Sequence, residues 1–190
     1  MFLEKELKKL ETKKNSLEKK DIDLIISDLD DTLFSTHEII KKDYRKWRRW
    51  WEWNIFLKEN PHIIKEIIKN EYKNKDFPQT IVSKLRINHD LILTKWIEEY
   101  QIPKFKATWL DKFNYIITEH FDEKITETIK YVINTLWFIP SKIIVYEDRP
   151  DIFIENKKII EDFLWTKLEI IYVEMDWNKG YKKLEKITWL

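Results

Sequence analysis

Apolar residues fall along this chain in short unbroken runs, and each run ends in polar or acidic residues. The runs are "DLIIS" (23–27), "DLILT" (90–94), "FNYIIT" (113–118), "KIIVYED" (142–148) and "LEIIYVEM" (168–175). Runs of this length without strict alternation are the pattern of strands buried on both faces. Between them the spacing turns helical: from about Ile97, over "TETIKYVINTL" (126–136) with Ile129, Val132, Ile133 and Leu136 on one face, and over 152–164. Strands alternating with helices predict an α/β fold, a parallel sheet of about five strands covered by helices on both faces.

Residues 1–20 read as a helical N-terminal extension whose stripe of Leu3, Leu7, Leu10 and Leu17 is thin, so loose docking is expected. Residues 35–88 are long, polar and aromatic, with "PHIIKEIIKNEY" the clearest helical piece, and predict a helical insertion after the first strand. The core then comprises 21–34 and 89–176, and 177–190 reads as a C-terminal tail.

Ligands of parallel sheets bind at the C-terminal strand ends, where the strand order reverses. The polar residues at those ends are Asp28, Asp30, Asp31 and Thr32, then Thr94, then Glu147 and Asp148. The only glycine is Gly180, so no glycine-rich phosphate loop exists. Several carboxylates without histidine or cysteine nearby specify a hard cation, foremost Mg²⁺. The ion would also relieve their crowding, since two like charges at 4 Å repel by about 4 kcal/mol at an effective dielectric of 20. With such a cation bridging, an aspartate can attack a phosphate, and a second carboxyl two residues on can serve as acid and then base.

"DLDDTLF" resembles the first motif of the haloacid dehalogenase-like hydrolase superfamily, a strand followed by D-x-D-x-T and an aliphatic residue. The resemblance implies Asp28 as nucleophile, Asp30 as general acid and base, and Thr32 as a residue shaping the loop. Thr94 resembles the second motif, a hydroxyl that holds the transferring phosphoryl group. "IIVYEDRPD" is similar to an E-D-R-P form of the fourth motif, implying Glu147 and Asp148 as metal ligands with Asp28 and the backbone carbonyl of Asp30. Arg149 is then expected to orient the acidic pair or contact substrate. For the third-motif lysine, Lys124 lies at the edge where the site must be, and Lys130 in "TETIK" is the rival; Lys124 is preferred.

In that superfamily a Rossmann-like three-layer core carries a cap inserted where 35–88 falls here. The second aspartate favours phosphoryl chemistry over dehalogenation. The resemblance therefore implies a Mg²⁺-dependent phosphomonoester hydrolase acting on a small phosphorylated substrate through an aspartyl-phosphate. The alternatives are a catalytically idle relative binding phosphorylated ligands or RNA, and a nucleic-acid end-repair phosphatase.

Composition narrows the classes. A formal net charge of +1 over 190 residues gives no global basic field, so nucleic acid is not favoured, although "YRKWRRWWEWN" (44–54) interleaves arginine with tryptophan. Cysteine is absent, which excludes thiolate chemistry and suits a reducing compartment. No apolar stretch approaches the roughly 20 residues of a membrane span, and no secretory signal is seen, so a cytoplasmic, membrane-free protein is expected. His37, His62, His89 and His120 are scattered without ligand spacing.

One glycine stands against ten tryptophans, whereas average usage puts glycine near about 7%. Trp96, Trp109, Trp137 and Trp177 occupy places where the resemblance or the turn chemistry asks for glycine. The expectation is that UGA codons, written here as Trp, are read as glycine by the source organism.

Overall fold

The computed structural model describes residues 2–36, 49–73, 78–176 and 180–188. His37, the basic residues of 44–48 and Trp177 lie outside these described residues. In chain order the elements begin with α1 (Phe2–Lys14), β1 (Lys19–Lys20) and β2 (Leu24–Ser27). The insertion contributes α2 (Trp50–Glu59), α3 (Pro61–Ile67) running into a π-helical turn (Ile68–Tyr72), and α4 (Gln79–Val82). Then come β3 (Leu91–Lys95), α5 (Glu98–Ala107), β4 (Asn114–Thr118) and α6 (Glu123–Tyr131), which also ends in a π-helical turn (Val132–Leu136). The chain closes with β5 (Ile139–Pro140), β6 (Lys142–Glu147), α7 (Asp151–Glu155), α8 (Lys157–Leu164), β7 (Lys167–Asp176) and β8 (Gly180–Lys186).

The main sheet has the order β4-β3-β2-β6-β7-β8, and β1 pairs with β5 apart from it. The five expected runs form its five parallel strands. The expectation of a purely parallel sheet is corrected by β8, which pairs antiparallel with β7 and makes the sheet mixed and six-stranded. It lies in the stretch read as a tail, because "GYKKLEK" carries the charge of an exposed edge rather than an apolar run.

Alternate residues of the central strands feed two separate cores. Leu24, Ile26, Leu91 and Leu93 pack with Ile125, Ile129 and Ile133 of α6 and its turn and with Ile160 and Leu164 of α8. On the opposite face Ile92 packs with Tyr100 and Phe105 of α5 and with Trp53, Leu57, Ile64 and Ile67 from the insertion. Each fully buried aliphatic side chain stabilises the fold by roughly 1.5–3 kcal/mol. The N-terminal helix is docked more firmly than its stripe suggested. Leu3, Leu7 and Leu10 pack against the α6–α8 core, and Lys14 is buried with its ammonium 3.9 Å above the Trp165 ring.

Among the described residues, five other than glycine have positive φ: Asp31, Asn88, Trp109, Trp137 and Trp165. Aspartate and asparagine tolerate the left-handed region, whereas a bulky aromatic there is an outlier. Trp137 and Trp165 directly follow the last helical residue of their segments, and Trp109 follows α5 by one residue. All three are mostly exposed. Trp96 differs: it has no positive φ, and its indole N–H donates to Asn54 Oδ1 at 2.7 Å.

Candidate active site

From β2 the chain passes to β3 on one side, and from β6 it passes to β7 on the other. Connections that diverge from adjacent parallel strands leave a crevice at their C-terminal ends. The register Ser27↔Tyr146 brings the next residues, Asp28 and Glu147, to the lip of that crevice, and the Asp28 N–H donates to the Tyr146 carbonyl at 2.9 Å. Asp28, Glu147 and Asp148 each offer one carboxylate oxygen within 4.8 Å of the others.

Lys124 enters from the first turn of α6. Its ammonium donates to Asp28 Oδ1 at 2.9 Å and to Glu147 Oε2 at 2.7 Å, and the side chain is buried. Six residues on, Lys130 pairs with Glu127 at 2.8 Å and approaches Glu6 of α1. Of the two rivals, Lys124 is the one at the crevice.

Three carboxylates facing one ammonium leave the crevice with excess negative charge. Burial, with Asp28 close by, pushes Glu147 up to about 7. Burial and the neighbouring Asp28, Glu147 and Asp31 charges push Asp148 up to about 9, although Arg149 opposes this. Asp28 is likewise raised, mainly by burial. Lys124 is held above its ordinary value, because Asp28 and Glu147 outweigh the cost of burying its charge. Glu147 Oε1 is buried and has no hydrogen-bond partner among the described residues. An all-oxygen acidic donor set with one buried lone oxygen fits a hard divalent cation such as Mg²⁺.

Asp30 faces a different environment. Lys104 and Gln101, both on α5 and both fully buried, each donate to one of its carboxylate oxygens. Burial alone would raise Asp30, but the Lys104 ammonium and these hydrogen bonds hold it below its ordinary value. Thr94, at the end of β3, donates to Asp30 Oδ2 at 3.4 Å and accepts from Gln101 Nε2 at 3.2 Å. Thr32 is buried in the turn that follows Asp30, its hydroxyl unpartnered among the described residues. Asp31 adopts a left-handed backbone at φ 57°.

A cavity of about 230 Å³ opens over these groups. Asp28, Asp30 and Asp148 border it, Lys95 and Arg149 bring positive charge to it, and Asn54 reaches it from α2 of the insertion. Arg149 Nε lies 3.6 Å from Asp148 Oδ2 and its side chain is largely exposed. No described histidine joins the acidic group; His89 contacts the Asp23 carbonyl at 2.9 Å, away from it. Sequence reasoning missed Lys104, Gln101 and Thr36. Their only signal was two polar residues one helical turn apart, 101 and 104, after the second strand. No family model matches this chain, and neither a curated protein nor a solved structure matches it.

Proposed function

We propose that this chain is a Mg²⁺-dependent phosphomonoester hydrolase of the haloacid dehalogenase-like type, with a Rossmann-like core and a helical cap. The observation that carries the reading is the meeting at one crevice of Asp28 with Lys124 at 2.9 Å and with Glu147 and Asp148 within 4.8 Å. Asp28, Glu147 and Asp148 are the residues that would hold the cation. When bound, it would neutralise phosphate and carboxylate charge so that the two can approach.

In this reading an Asp28 oxygen attacks phosphorus, the ester P–O bond breaks, and the leaving oxygen takes a proton that Asp30, held ionised beside Lys104 in the resting protein, first picks up from solvent. Water then attacks phosphorus and gives a proton to Asp30. The Asp28 carboxylate is released and inorganic phosphate leaves. Lys124 offsets the charge of nucleophile and phosphate, and the Thr94 hydroxyl helps to hold the phosphoryl group. The size of the cavity suits a small phosphorylated substrate, with Lys95 and Arg149 in its lining. The cysteine-free composition suits the cytoplasm.

The test is Mg²⁺-dependent turnover of an aryl phosphate by the wild-type protein and by Asp28→Asn. Turnover that Asp28→Asn abolishes supports the assignment, and activity that survives the substitution refutes it. No activity on any phosphate, together with retained binding of phosphorylated ligands, favours an idle relative.

A further inference from the structure

Trp109, Trp137 and Trp165 sit in the left-handed region, with φ and ψ of 58° and 22°, 60° and 23°, and 52° and 38°. There Cβ crowds the following carbonyl oxygen, so glycine is the usual occupant, with aspartate and asparagine as the residues that visit it at modest cost. The other left-handed positions among the described residues follow that rule, being Gly180, Asp31 and Asn88. Tryptophan makes up ten of the 190 residues, yet it takes three of these six positions. A bulky aromatic is the residue least expected there.

The three share one kind of place. Trp109 stands between α5 and β4, Trp137 between the π-helical turn after α6 and β5, and Trp165 between α8 and β7. Each is a return from a helix to the strands, one or two residues past the last helical residue. At such returns the backbone reverses through a left-handed C-cap, for which glycine is the standard residue. The return at 137 also links the helix that carries Lys124 to the strands that lead to Glu147.

Packing does not offset the strain. The three side chains are 76%, 65% and 61% exposed. A tryptophan that serves a fold buries its rings, as Trp53 does, fully enclosed and stacked on Phe56. The ammonium groups of Lys13 and Lys14 lie over the rings of Trp137 and Trp165 at 4.3 Å and 3.9 Å, but with the rings largely in solvent such contacts are modest.

Composition agrees with the backbone. Lysine and isoleucine, whose codons are built mainly from A and U, are the commonest residues of the chain. A gene of that bias uses UGG sparingly, and ten tryptophans against one glycine run counter to it. We infer that positions 109, 137 and 165 are glycine in the protein as its host makes it, their codons being UGA read as glycine. Glycine at these returns does not depend on the chemistry proposed at the crevice.

Sequencing of the gene, with mass spectrometry of peptides from the protein purified from its native source, tests this. The expected result is UGA at all three codons and glycine in each of the three peptides, lighter by the mass difference between the two residues. UGG at any of the three codons overturns it. So does UGA with tryptophan, or any residue other than glycine, in any of the peptides, since the left-handed turns would then carry a side chain in the native protein.

Discussion

Lys124 Nζ lies 2.9 Å from Asp28 Oδ1 although 96 residues separate them in sequence. The contact joins the end of the central strand to the first turn of α6, and it places a fully buried ammonium against the residue assigned as nucleophile. Lys124→Met leaves Asp28, Glu147 and Asp148 without their internal cation. The metal-free protein is expected to lose about 3–5 kcal/mol in denaturant unfolding, the cost of breaking a buried pair from one side. Mg²⁺-dependent turnover should fall about 100-fold or more, as for the loss of a preorganised charge stabiliser.

The acidic crevice makes the metal-free protein sensitive to alkali. In the unfolded chain Glu147 and Asp148 release their protons near the ordinary values of 4.5 and 3.8; in the folded protein they hold them to about 7 and about 9. Across that interval the folded state carries the extra protons. Its stability is therefore fully present below about pH 4 for these groups and is lost as pH rises towards 9, by up to about 1.4 kcal/mol per pH unit for each extra proton. Mg²⁺ should reverse this, raising Tm more at pH 8 than at pH 5. A thermal melt series with and without Mg²⁺ reads both effects, and equal Tm shifts at the two pH values would contradict them.

The three left-handed tryptophans give a stability prediction that does not depend on the gene. Trp109→Gly, Trp137→Gly and Trp165→Gly should each stabilise the chain by about 1 kcal/mol, by relieving the clash of Cβ with the following carbonyl. At 137 and 165 the gain is offset in part by loss of the stacking of Lys13 and Lys14 on the indoles, 4.3 Å and 3.9 Å from their ring centres. Trp53→Gly should instead be strongly destabilising, because it empties a fully buried site. Urea unfolding of the four variants ranks them.

Much of the fold was legible because buried parallel strands leave an apolar signature: each of the five runs became a strand, with ends shifted by no more than two residues. Asp28, Asp30, Thr94, Lys124, Glu147 and Asp148 were legible because a parallel sheet delivers its strand ends and following turns to one edge. Lys104 was not, since a lysine in a polar helix reads as solvated until the fold encloses it. β8 was hidden for the opposite reason: an edge strand needs no apolar run, and Lys182, Lys183 and Lys186 gave it the look of a tail. Trp137 was legible as a C-cap and Trp109 as a glycine position of the resemblance, while Trp165 was not singled out and Trp96 has no positive φ to set beside the expectation.

Asp90, also passed over in sequence, pins the opposite end of the sheet. Buried at the start of β3, it accepts from the Ile25 N–H at 2.8 Å, the Arg86 N–H at 2.7 Å and Arg86 Nε at 2.9 Å. Asp90→Ala strands these donors and should cost about 3 kcal/mol in urea unfolding. Because it acts at the N-terminal strand ends, away from the crevice, Mg²⁺ affinity of the folded variant should be unchanged.

The central claim is that Asp28 carries the phosphoryl group between the two steps. Rapid quenching of the protein during Mg²⁺-dependent turnover of a phosphomonoester, followed by peptide mass spectrometry, measures this directly. The account predicts one phosphoryl group on the peptide containing Asp28, absent without Mg²⁺ and absent in Asp28→Asn. Turnover with that peptide unmodified throughout, or with the phosphoryl group on another residue, would contradict it.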